Sequence, residues 1–155
     1  MKKQLLWLLA LVGFSTLFSC EKSAPSDAEE DATIKAYIAK KGWTAEATPE
    51  GVYYVTDVAG TGTTAALTNV ITVNYKGYKL DETVFDGNLI NNRPAFVTLL
   101  GGGLIQGWKI GFQKFRAGSK GKLIIPSRHG YGTSGSGSIG ANEILVFEVE
   151  LLSFR

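Results

Sequence analysis

From Val52 onward, apolar side chains recur mainly at every second position, and the segments so marked predict strands. Val52 to Val58 is the first. Val70 to Leu80 is the second, with Ile71, Val73 and Tyr75 on one face and Thr72, Asn74 and Lys76 on the other. Phe96 to Leu99 is a shorter one. Lys120 to Ile125 stops at Pro126, which cannot donate to a ladder. Leu145 to Leu151 alternates Leu145, Phe147, Val149 and Leu151 against Glu148 and Glu150. Between them the period changes: Leu104, Trp108, Phe112 and Phe115 form one apolar helical stripe of about three turns, flanked by Ile105. Gly107 and Gly111 are poor helix formers, about 1 kcal/mol each against Ala, but lie one turn apart where a sheet could approach closely. The class is α+β, an antiparallel sheet packed on one short helix.

Upstream the pattern differs. Ser26-Asp27-Ala28-Glu29 has capping-box spacing, and Ile34, Tyr37 and Ile38 follow at helical intervals. A helix over 27–41 is predicted, stopped near Gly42. Its apolar stripe is small, so the sequence leaves open whether it docks on the main domain or stands as a stalk.

The first residues are a separate matter. Lys2 and Lys3 precede an apolar run from Leu5 to Leu17, broken only by Gly13, Ser15 and Thr16. This reads as a secretory signal peptide, too short for a permanent membrane span. Leu17-Phe18-Ser19-Cys20 resembles a bacterial lipobox, with Cys20 as the lipidation site. The alternative is a cleavable signal followed by an incidental cysteine. Cys20 is the only cysteine of the chain, so no intramolecular disulfide can form. The expected organisation is a lipoprotein signal peptide at 1–19, an acidic tether and short helix at 20–48, and the main domain at 49–155.

Charge then excludes one class of partner. The chain has 16 Lys and Arg against 14 Asp and Glu; removing Lys2 and Lys3 leaves 14 of each, formally neutral. That is not the footprint of a nucleic-acid binder. Gly130-Tyr-Gly132-Thr-Ser-Gly135 matches G-x-G-x-x-G in letters only, since Pro126 precedes it and Ser136-Gly-Ser follows where a helix should start. Gly101-Gly102-Gly103 lacks the Lys-Ser/Thr of a phosphate loop. His129, the single histidine, has no cysteine or second histidine with which to share a metal, so no metal site is expected. Ser127 and His129 have no evident orienting acid, and His129 reads as a polar rim residue. Asp86 follows Val84-Phe85 in an apolar setting. It is either a turn aspartate accepting backbone bonds or the one carboxylate of an apolar site.

Three signatures stand in order: Tyr75-Lys-Gly-Tyr with Val84-Phe85-Asp86, then Leu104-Ile105-Gln106-Gly107-Trp108, then Tyr131-Gly132 with Leu145-Val-Phe-Glu-Val-Glu-Leu-Leu152. Together with Gly118 to Pro126 they resemble the FKBP-type peptidyl-prolyl cis-trans isomerases, over about two thirds of the chain. The resemblance implies a twisted antiparallel sheet curled around one short helix, and an isomerase without cofactor acting on proline-containing polypeptides, with macrolides as further ligands. Taken with the lipobox-like residues before Cys20, the expectation is a folding role in the bacterial envelope, lipid-anchored to the membrane. The pocket it implies joins Tyr75, Phe85, Leu104, Trp108, Ile139 and Phe147 as substrate-binding groups to Asp86, Tyr131 and the Ile105 backbone N–H as catalytic ones. Asp86 would shape the pocket or act on the twisted carbonyl. The family's other common aromatic falls near Ala95-Phe96; if Ala95 takes that place, one wall is expected to be missing, with Phe96 directed elsewhere. Ile139-Gly140-Ala141-Asn142 lacks the usual Pro-Pro, so the loop over the pocket is expected to be loose. A holdase keeping the pocket without turnover, and a structural lipoprotein with a vestigial pocket, are the competing readings.

Overall fold

The structure, a computed structural model, describes residues 24–155. The predicted leader and Cys20 lie outside the described residues. In chain order the elements are α1 (Asp27–Lys41), β1 (Glu46–Ala47), β2 (Tyr53–Val58), β3 (Thr61–Thr64), β4 (Val70–Lys79), β5 (Val84–Gly87), β6 (Phe96–Leu99), α2 (Gln106–Phe112), β7 (Arg116–Ala117), β8 (Lys120–Ile125), a 3-10 turn (Ser127–His129) and β9 (Leu145–Phe154). Seven strands form one antiparallel sheet in the order β1-β2-β8-β9-β4-β5, with β6 also paired to β4; β3 and β7 make a separate ribbon.

The long pairing of β4 with β9, from Ile71 opposite Phe154 to Lys79 opposite Leu145, is the spine. It turns Ile71, Val73 and Tyr75, with Leu145, Phe147, Val149 and Leu151, toward α2, where Trp108, Phe112 and Phe115 complete the main core. Close approach depends on two glycines. A Cβ on Gly107 would fall 2.3 Å from Ile125 Cγ2, and one on Gly111 2.5 Å from Leu123 Cδ2. The helix is shorter than its stripe: Ile105 is the N-cap and Gln113 the C-cap, and Phe115 reaches the core from the turn beyond.

The other face of the sheet carries a second core, in which Ile34 and Tyr37 of α1 pack with Tyr53, Val55, Tyr78, Ile124, Ile144 and Val146. The predicted capping box is present, with Glu29 N–H donating to Ser26 Oγ and the Glu29 carboxylate accepting from Ser26 N–H. Gly42 closes the helix at φ +66°. Burial of Ile34 and the hydrogen bond from Tyr37 Oη to Glu82 (2.7 Å) dock α1 on the sheet, so it is not a free-standing stalk. Residues 48 and 49 lie between β1 and β2, which pair with each other.

Candidate active site

Between β4, β5, β6, the start of α2 and the loop after the 3-10 turn lies a cavity of about 420 Å³. Trp108, 4% exposed, is its floor. Four rings meet the indole edge-on: Tyr75 at 5.1 Å, Phe112 at 5.1 Å, Phe147 at 5.3 Å and Phe96 at 6.2 Å between centroids. Such edge-to-face packing is favourable for aromatic quadrupoles and locks each ring's direction. Phe85 stands edge-on to Phe147 at 5.5 Å. Both rings need the missing side chain of Gly77, whose Cβ would come within 2.7 Å of Phe85 and 2.8 Å of Phe147.

One carboxylate sits at the rim. β5 pairs with β4 so that Asp86 faces Gly77, beside Tyr75. Asp86 Oδ2 accepts from Tyr75 Oη at 2.6 Å; Oδ1 accepts from Gly87 N–H at 2.8 Å and from Arg93 Nη2 at 2.7 Å. Burial pushes the carboxyl up, but the hydrogen bonds from Tyr75, Arg93 and Gly87 outweigh it and hold Asp86 below the ordinary aspartate value. The partner moves the other way: burial first, then the bond to Asp86, pushes the Tyr75 phenol up to about 12. At neutral pH the pair is a carboxylate and a neutral phenol. Asn88, 4% exposed, holds this corner in place, accepting from Tyr75 N–H at 2.7 Å and donating to Asn74 Oδ1 at 2.8 Å and Pro94 O at 3.3 Å.

The remaining predicted residues converge on the same cavity. Leu104 and Ile105 line it just before α2, and Ile105 occupies the cap position, where a backbone N–H has no acceptor within its helix. Tyr131 stands at the mouth, 37% exposed, and Ile139 and Phe147 close the far side. Tyr75, Phe85, Asp86, Leu104, Ile105, Trp108, Tyr131, Ile139 and Phe147 are thus all brought together.

Three expectations change. Phe96 lines the cavity, edge-on to Tyr75 at 6.0 Å, so the wall expected to be missing is present; Ala95 instead faces a neighbouring depression with Pro94 and Val97. The pairing of Val73 with Phe96 sets this direction. The loop over the pocket is pinned, with Ser136 and Ile139 exchanging both backbone bonds at 2.9 Å and Gly135 at φ +66° against the Ile139 carbonyl. His129 is not on the rim: its Nε2 lies 3.0 Å from the Glu50 carbonyl, away from the cavity. Sequence reasoning passed over Arg93, Asn88 and the Ser136 to Ser138 stretch, all in loops without periodicity. The only available signal was the spacing of Arg93, seven residues beyond the acid it pairs with.

A sheet wrapped on a short helix, with an aromatic cavity and one fixed carboxylate at its rim, defines the class of this molecule. The sequence pattern of the FKBP-type peptidyl-prolyl cis-trans isomerases matches residues 62–152, and the chain belongs to that family. Among its relatives, the FKBP-type peptidyl-prolyl cis-trans isomerase FkpA of Aeromonas hydrophila is 36% identical over 140 residues, 90% of this chain and 51% of that protein. The outer membrane protein MIP of Legionella longbeachae is 34% identical over 136 residues, 87% of this chain and 57% of that protein. The crystal structure of FkpA from Escherichia coli superposes with a TM-score of 0.72 at 32% identity, covering 83% of this chain and 60% of that one. The chain spans about half the length of the first curated relatives it matches.

Proposed function

We propose that the chain catalyses cis-trans isomerisation of X–Pro peptide bonds in polypeptides of the bacterial envelope. The observation that carries this reading is the aromatic cavity floored by Trp108, with an ionised carboxylate fixed at its rim. Amide resonance sets a barrier of about 18–20 kcal/mol to rotation. At the twisted transition state the resonance is lost, the carbonyl oxygen carries less charge, and an apolar, water-poor surface favours that state over the planar one. Trp108, Phe85, Phe96 and Phe147 supply the surface. The Ile105 N–H would hold the carbonyl before the proline, and the Tyr131 hydroxyl the peptide beyond it. Asp86 has both oxygens engaged by Tyr75, Gly87 and Arg93. That favours a fixed charge shaping the pocket over a mobile base, and no step requires proton transfer.

A protease-coupled isomerisation assay on residues 21–155 tests the reading; no acceleration over the uncatalysed rate would leave a binding module. The pH profile follows from the two shifts. A depressed Asp86 stays ionised at and above its ordinary value near 4, and loses its charge only as pH falls through its lower folded value. Tyr75 stays neutral to about 12. Turnover is therefore expected to be flat between about pH 5 and 9; a step inside that window would assign the chemistry elsewhere.

Attachment is part of the proposal. The lipobox-like Leu17 to Cys20, the acidic tether after it, and the naming of one relative as an outer membrane protein support a lipid anchor at Cys20. Among the described residues, no helix is long and apolar enough to cross a membrane. One acyl chain binds membranes marginally and two or more hold firmly. The Cys20→Ser precursor should lose fatty-acid labelling and partition into the aqueous phase of a detergent extraction; unchanged labelling would remove the anchor.

Trp108 also offers a direct view of binding. Trp7 belongs to the leader and Trp43 packs against α1, with Tyr37 edge-on at 5.7 Å. In a Trp43→Phe background, a proline-containing peptide or a macrolide should change Trp108 emission saturably. Flat titrations up to millimolar peptide would show that the cavity admits no ligand.

A further inference from the structure

One buried carboxylate takes no part in the cavity. Glu30, in the first turn of α1, is 3% exposed. Its Oε2 accepts the backbone N–H of Ser127 at 2.9 Å, across 97 residues of sequence, while Oε1 is buried with no hydrogen-bond partner among the described residues. A carboxylate so placed loses more hydration than one bond returns, and an apolar side chain of similar length would fill the same space. Stability alone is a poor reason for it.

What Glu30 holds is Ser127, the residue on which the turn carrying Tyr131 closes. The Ser127 carbonyl accepts the N–H groups of both Gly130 and Gly132, each at 2.9 Å, and these two amides bracket Tyr131. Gly132 takes φ +56°, and Gly130 lies outside the usual helical and extended regions. The direction of the Tyr131 side chain therefore depends on a tight turn fastened at one residue, Ser127, whose carbonyl closes the turn and whose N–H is tied to α1. A second fastening lies alongside: Arg128 contacts Asp27 at 3.1 Å and donates to the Glu50 carbonyl at 3.0 Å.

We propose that Glu30 is a positioning residue for isomerisation: its buried carboxylate fixes the turn at 127–132 and so sets the Tyr131 hydroxyl at the cavity mouth. The inference rests on the isomerase reading and extends the functional unit to a helix on the opposite face of the sheet.

Glu30→Met keeps length and removes the acceptor. It should raise KM about fivefold with kcat within about twofold, since Tyr131 steadies the bound peptide. Glu30→Gln, which retains an oxygen acceptor, should recover most of the loss. In a Tyr131→Phe background, Glu30→Met should change nothing further. Lys35→Ala, on the same helix in an exposed pair with Asp31, should leave turnover unchanged. Independently of turnover, amide exchange at Gly130 and Gly132 should accelerate by about tenfold in Glu30→Met and stay near wild type in Glu30→Gln. Should Glu30→Met fail to fold, Glu30→Asp withdraws the same acceptor by one methylene, and the same pattern is expected. Unchanged KM and exchange in a folded variant, or losses that multiply with Tyr131→Phe, would overturn the proposal. Absence of turnover in the wild-type chain would instead sink the isomerase reading, with the exchange measurement still deciding the role of Glu30.

Discussion

Asp86→Ala should lower kcat/KM at least about tenfold, about 1.4 kcal/mol of transition-state stabilisation, while its circular dichroism and melting midpoint stay near wild type. Among the described residues the carboxylate is the only charged group lining the cavity, and its removal frees Tyr75 Oη and Arg93 together. The fold should tolerate it because the Asp86 side chain is 48% exposed, so water can take over the severed bonds. Asp86→Asn keeps the shape and loses the charge; an intermediate rate would apportion the two. His129→Ala should stay within about twofold of wild type, since its ring meets the Glu50 carbonyl outside the cavity. If His129→Ala abolished turnover and Asp86→Ala did not, the site would be misplaced.

Gly121→Ala should be the most damaging single methyl in the sheet. Gly121 lies on β8, between Val149 of β9 and Thr56 of β2. An added Cβ would stand 1.9 Å from the Val55 carbonyl oxygen and 2.9 Å from the Phe115 ring. Backbone is not free to step aside there without parting β2 from β8, so the cost is expected to reach about 3 kcal/mol, or about 10 °C in Tm for a domain of this size. Gly103→Ala, where a Cβ would meet nothing within 4 Å, is the matched control and should melt near wild type. Equal melting of the two variants would contradict the packing described for β2 and β8.

Much of this was legible in the residues, and the exceptions have physical reasons. The capping box at Ser26, the strands at Lys120 to Ile125 and Phe96 to Leu99, and the glycine notch facing the sheet each follow from strictly local rules. The direction of Phe96 does not. Phe96, Val97 and Leu99 are all apolar, so a four-residue strand carries no alternation to choose its inward face, and only the register against Val73 decides it. The same limit hid the second core. Leu123-Ile124-Ile125 and Leu145-Val146-Phe147 are unbroken apolar runs, the mark of strands covered on both faces. Reading β9 only as an alternation against Glu148 and Glu150 left Val146 without a partner and α1 without a docking place. Arg93 was invisible because its partner is fixed by a loop, and loops obey no period.

If the chain carries the proposed anchor at Cys20, the docking of α1 also limits how far the domain can travel. With Cys20 held in a bilayer, only seven residue steps separate the anchor from Asp27, the first residue of a helix already folded against the sheet. Fully extended, they reach at most about 25 Å. A free helix of 15 residues would have added about 22 Å of stand-off; packed as it is, it adds no such length. The cavity would thus patrol a shallow layer at the membrane surface, and its clients would be chains that pass through that layer, such as polypeptides emerging from or inserting into the bilayer.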